Sequence, residues 1–115
     1  MKGNYEFPDI ISNLPQADIP IPGLTAYLLQ GVDQQVVCMS FEEDVEVPEH
    51  AHAAQWGVVL EGEIELTVGG ATATYRKGDT YYIPRNVPHR AQIRAGYRDL
   101  SFFDQKDRYK VKTIK

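Results

Sequence analysis

The stretch that decides the fold is Glu63-Ile64-Glu65-Leu66-Thr67-Val68-Gly69-Gly70-Ala71-Thr72-Ala73-Thr74-Tyr75. Two alternating runs flank a glycine pair. Alternation with a period of two marks strands with one buried face, and Gly69-Gly70 supplies the positive-φ positions of a tight two-residue turn. Working outward, short runs rich in β-branched and aromatic residues recur between turn residues: 25–29, 35–41, 45–49, 55–60, 80–83, 89–93 and 98–103. This rhythm is that of a sandwich or barrel, and no window carries a long helical period. The expected class is therefore all-β, in antiparallel sheets. Residues 1–23 contain Pro8, Pro15, Pro20 and Pro22, which oppose regular helix and suggest an extended N-terminal arm laid along the body or around a neighbouring subunit.

Composition sets the remaining bounds. The 115 residues are 43% hydrophobic and 24% charged without a break in character, as expected of one folded domain spanning 1–115. No apolar run is long enough to span a membrane or to act as a signal segment, so a cytoplasmic address is the default expectation. Cys38 is the single cysteine, which rules out an intrachain disulfide and a thiolate zinc site and leaves it to be a small buried hydrophobe. The net charge is −4, and the basic residues are scattered apart from the tail from Lys106 to Lys115, a distribution that argues against nucleic acid as a partner.

Chemistry concentrates on the histidines. All three, His50, His52 and His89, fall in two short segments at strand ends. On a strand, His50 and His52 would share a face about 7 Å apart and could converge on one ion. Neutral imidazoles are good ligands for divalent transition metals, although an isolated HxH pair more often belongs to surface or hydrogen-bonded histidines. Continuing the parity, Gln55, Gly57 and Val59 point inward, the glycine leaving space beside the ion. Trp56, Val58 and Leu60 point outward, which implies that the outer face is covered too, by a second subunit or by the arm.

Around these histidines the sequence resembles the cupin superfamily. Asp44-x5-His50-x-His52, Gln55-x6-Gly62 and Gly78-x5-Pro84-x-Asn86-x2-His89 follow the two cupin motifs, with Asp44 and Asn86 in place of glycines and Ile93 in place of a final asparagine. Asp and Asn tolerate left-handed turns, so the bends should survive. The spacing between His52 and Gln55 is one residue shorter than the family's. The resemblance implies a small jelly-roll β-barrel that is a homodimer and binds one divalent metal ion (Zn, Ni, Fe, Mn or Cu) on His50, His52, Gln55 and His89. Gln55 stands where most cupins carry glutamate, as it does in pectin-degradation cupins; the other reading makes it a hydrogen-bonding support for a histidine. Four neutral ligands would leave the ion its full charge and favour an anionic small molecule.

The same relatives end in D-x-F-x-P-x-R, and here the run is Ser101-Phe102-Phe103-Asp104-Gln105-Lys106-Asp107-Arg108. Ser101 stands in the place of the acid, Asp99 lies two residues earlier on the same face as Ser101 and Phe103, and Arg108 is one place late. Asp99, Ser101, Phe103, Arg108 and Tyr27 are the substrate-binding candidates; Arg108 is otherwise a solvated tail charge, and Tyr27, like Tyr81 and Tyr82, either brings a hydroxyl to the cavity or, as strand tyrosines more often do, packs. The function expected is an enzyme acting on a small anionic sugar-derived or keto-acid substrate by isomerase or lyase chemistry. A metal-dependent dioxygenase and a non-catalytic small-molecule sensor are the alternatives.

Overall fold

The computed structural model describes residues 6–113. The first five residues of the arm, and the last two of the tail, lie outside them. After a single helical turn, α1 (Asp9–Ser12), come β1 (Leu24–Gln30), β2 (Gln35–Phe41), β3 (Val45–His50), β4 (Gln55–Glu61), β5 (Glu63–Val68), β6 (Ala71–Arg76), β7 (Thr80–Ile83), β8 (His89–Ile93) and β9 (Arg98–Phe103). They form two antiparallel sheets, one in the order β1-β2-β9-β4-β7 and the other β3-β8-β5-β6. This is a jelly roll. The strands fall where the alternation places them, to within a residue or two at each end.

The β5–β6 hairpin pairs Val68 with Ala71 across Gly69 (φ 56°) and Gly70 (φ 88°), so both turn residues use the left-handed region. Asn86 also adopts a positive φ (61°), as its place in the second motif suggests, and its amide donates to His52 O at 2.9 Å. Asp44 departs from expectation. Asn86 is the only non-glycine with positive φ among the described residues, and Asp44 serves its bend through its side chain, with Oδ1 accepting the Ala95 amide at 2.8 Å.

Both sheets turn their apolar faces toward each other. Val37, Phe41, Val59, Ile64, Leu66, Ile83, Ile93, Tyr97 and Phe103 are buried there. Cys38 is buried as well, and burial raises its thiol pKa, so it stays a protonated packing residue. The outer face of the five-stranded sheet is different: Trp56 pairs in register with Tyr82 on one side and Phe102 on the other, and all three are exposed.

The arm lies against its own barrel. Gln16 bridges to Tyr27 and Ala17 to Val111, and Ala17 is buried. The proline-rich segment is extended except for α1, which fits between Pro8 and Pro15 because proline at a helix start removes no hydrogen bond. The tail is fixed by buried Gln35, whose Nε2 donates to Tyr109 O (2.9 Å) while its Oε1 accepts from Tyr109 N (3.0 Å). Arm and tail together roof one end of the barrel. No helix among the described residues is long and apolar enough to cross a membrane.

Candidate metal centre and cavity

The three histidines meet at that roofed end. His50 is the last residue of β3 and pairs with His89, the first residue of β8. His52 is not on the strand: the ladder breaks at a register shift between Val47 and His50, where Pro48 has no amide to offer, and the chain leaves β3 before His52. Convergence therefore comes from a loop, pinned by the Asn86 amide, rather than from strand parity. The ring centroids are 5.2 Å apart for His50 and His52, 4.3 Å for His50 and His89, and 4.6 Å for His52 and His89. One ring nitrogen from each lies within 4.8 Å of the others.

Backbone carbonyls set the tautomers. Nδ1 of His50 lies 2.9 Å from Pro48 O, that of His52 2.7 Å from Ala53 O, and that of His89 2.9 Å from Val87 O. A carbonyl only accepts, so each Nδ1 carries the hydrogen and each neutral ring presents a bare Nε2. The Nε2 atoms of His52 and His89 face each other at 3.1 Å. Two bare lone pairs at this distance repel unless a cation or proton lies between them. Desolvation lowers the pKa of His52 to about 4 and also lowers that of His89, so at neutral pH a shared proton is disfavoured and the donors suit a divalent metal.

Gln55 is buried on the inner face of β4, with its Nε2 directed at Ser101 Oγ (3.2 Å) and Tyr81 Oη (3.4 Å). No histidine is among these partners, so Gln55 is not a support for an imidazole, and its amide oxygen is left free of them. Gly57 does not open space beside the histidines as the parity suggested. A Cβ there would clash with the Cζ–Oη end of Tyr81, so the glycine is the seat of that tyrosine.

Beyond Gln55 lies a buried polar cluster. Asp99 Oδ2 accepts from Tyr97 Oη (2.8 Å), Tyr81 Oη (2.9 Å) and Ser101 Oγ (3.4 Å), while Oδ1 is buried with no partner. Burial outweighs these three hydrogen bonds and pushes the carboxyl up to about 6. The same desolvation raises Tyr81 and Tyr97, which remain protonated donors. Tyr97 was missed in the sequence, although it shares the parity of Asp99, Ser101 and Phe103; of the strand tyrosines weighed as hydroxyl donors to the cavity, Tyr81 is the one that lines it.

The histidines and Asp99 line one cavity of about 480 Å³, walled by apolar residues of both sheets and by Ile19 and Ile21 of the arm. Phe103 lines it too and packs edge-on against His52 at 5.5 Å. Ser101 is fully buried behind this wall. Arg108 is not a free tail charge: it lines the cavity and the adjoining groove of His50, His52 and Asn86, its Cζ 4.6 Å from the Tyr109 ring centroid and its Nε buried without a partner. Tyr27 lies elsewhere. Ala26 and Leu28 take the inward positions of β1, and Tyr27 faces out to pack against Phe7, 6.0 Å between centroids.

A family model for the cupin domain matches residues 36–104. The chain belongs to the cupin family. Among solved structures, an RmlC-like cupin from Shewanella frigidimarina is 24% identical with a TM-score of 0.72, over 93% of this chain and 94% of that one. KdgF from Halomonas sp. is 22% identical with a TM-score of 0.69, over 79% of this cupin and 87% of that chain. A deletion mutant of the oxalate decarboxylase OxdC from Bacillus subtilis is 21% identical with a TM-score of 0.68, over 84% of this chain but 29% of that one. At these identities the likeness is one of fold. No curated protein matches the chain.

Proposed function

We propose that this cupin holds one divalent metal ion on His50, His52 and His89, with Gln55 as a fourth ligand, and acts as an enzyme on a small anionic sugar-derived or keto-acid substrate by isomerase or lyase chemistry. The observation that carries the reading is the pair of bare Nε2 atoms 3.1 Å apart, with all three Nδ1 atoms committed to carbonyls. When bound, such an ion supplies Lewis acidity toward a carbonyl or carboxylate oxygen. The chain's own groups supply the rest. Arg108 offers a guanidinium at the cavity mouth that suits a carboxylate. The apolar walls exclude water, which strengthens every charge interaction inside. Asp99, fixed through Oδ2, keeps Oδ1 able to take a proton from an O–H group or from a carbon made acidic by a neighbouring carbonyl, and a pKa of about 6 suits a base working near neutrality.

The test compares metal-loaded with chelator-stripped protein. Oxalate and pyruvate should bind the loaded form more tightly, while uncharged sugars should show no difference. In D2O the loaded protein should also speed exchange of the pyruvate methyl protons, followed by NMR. Binding without exchange would favour the sensor alternative; equal binding to both forms would contradict the metal reading.

A further inference from the structure

The walls of the cavity restrict the substrate more narrowly than its charge does. Resting on the metal-centred reading above, we infer that the substrate is a keto acid with a compact apolar body, aromatic or branched, whose far end carries a single hydrogen-bond donor received by Oδ1 of Asp99.

Polar groups are a minority of the cavity lining. The histidines, Gln55 and Arg108 form one set, and the exposed Asp18 and Lys110 lie where arm and tail meet. Between the sheets the wall is Met39, Phe41, Ile64, Leu66, Ile83 and Ile93, none of which can pair with a hydroxyl. The remaining polar groups are Tyr81, Tyr97, Asp99 and the tail's Tyr109; the Tyr81 and Tyr97 hydroxyls already donate to Asp99 Oδ2, and the Tyr109 ring packs edge-on against Phe103 at 5.4 Å. Asp99 is 3% exposed, and its Oδ1 is the buried carboxylate oxygen left without a partner.

A polyhydroxylated acid fits such a wall poorly. Each hydroxyl it buries against Ile64, Leu66 or Ile93 gives up a hydrogen bond to water and finds none, at a loss of about tenfold or more in affinity each. A ligand with one donor loses nothing at the wall and satisfies Oδ1. Reach agrees: a hydrogen-bonded chain from Gln55 Nε2 through Tyr81 Oη (3.4 Å) to Asp99 Oδ2 (2.9 Å) keeps the carboxyl near Gln55, within reach of a compact body rather than a long one. Three donors on Oδ2 fix the direction in which Oδ1 is offered, which makes it a selective contact rather than an adaptable one.

The probes are phenylpyruvate, 4-hydroxyphenylpyruvate, 4-fluorophenylpyruvate and galacturonate, titrated calorimetrically into the metal-loaded protein. The hydroxylated ring should bind about tenfold more tightly than the fluorinated or unsubstituted ring, and galacturonate more weakly than all three. Asp99→Asn puts an N–H2 where Oδ1 was, so the hydroxyl preference should vanish or invert while phenylpyruvate stays within about twofold. Equal affinities for the three rings in the natural protein, or galacturonate binding as tightly as they do, would overturn the inference without any variant. A hydroxyl preference in natural protein whose affinity for phenylpyruvate is the same before and after removal of metal by chelator would sustain the assignment to Asp99 while contradicting the metal-centred reading.

Discussion

Asp99→Asn also tests whether the buried carboxyl has the environment described. Moving a carboxyl from near 3.8 to about 6 means that its ionised form is disfavoured in the folded protein by about 3 kcal/mol. Below pH 3.8 the group is protonated in both folded and unfolded chains and costs nothing. As pH rises toward 6 the unfolded chain ionises first, so stability falls, and above 6 the full penalty persists. The asparagine carbonyl can keep the three donors on one atom, while its N–H2 lacks a partner, a cost of about 1–3 kcal/mol that does not depend on pH. His52, whose pKa is lowered to about 4, acts in the opposite sense and loses stability as pH falls below the ordinary imidazole value. It is present in both proteins and cancels in their difference. Urea unfolding of the two chelator-treated proteins by circular dichroism between pH 3.5 and 7.5 gives that difference directly. The variant should gain about 3 kcal/mol relative to the natural protein across this range. A difference that stays constant with pH would refute the assignment of a raised pKa to Asp99.

Three further outcomes are expected. Gly57→Ala drives a methyl against the Cζ–Oη end of Tyr81 and should destabilise the fold by about 1–3 kcal/mol in urea titrations; an unchanged midpoint would mean that Tyr81 is not seated there. Trp56→Glu should shift a dimer toward monomer in sedimentation experiments, because the exposed row of Tyr82, Trp56 and Phe102 is the surface a second copy would cover. A natural protein that is monomeric at micromolar concentration would contradict this. Gln55→Ala should weaken metal affinity by about tenfold, a milder effect than loss of a histidine, since water can replace a neutral amide ligand.

The strands were legible because alternation and turn chemistry agree from one element to the next: Gly69-Gly70 could only be a turn, and the parity that puts Gln55 inward leaves Trp56 exposed. The histidines were legible as a set, but the reason for their convergence was not, because a bulge at Pro48 moves His52 off the strand and no periodicity reports it. Of the two readings of Tyr27 the packing one holds, because its neighbours Ala26 and Leu28 take the inward positions, a parity that could have been applied to β1 as it was to β4. Tyr97 meets Asp99 only two residues away, a contact that parity alone could have suggested. Gln35 acts through long-range pairing with the tail, and a single sequence does not show which distant group a buried polar side chain will meet. Arg108 returns to the cavity for the same reason, since Gln35 holds Tyr109 and thereby the residue before it.

The most direct test is the metal content of the protein itself. Purified protein, dialysed against equimolar zinc, nickel, iron and manganese and then freed of excess ions, is assayed by inductively coupled plasma mass spectrometry beside His52→Ala and His89→Ala. The natural protein should retain about one ion per chain in total, and each variant should retain almost none while its circular dichroism remains that of a β protein. A natural protein that takes up no metal, or a folded variant that keeps a full complement, would contradict the account.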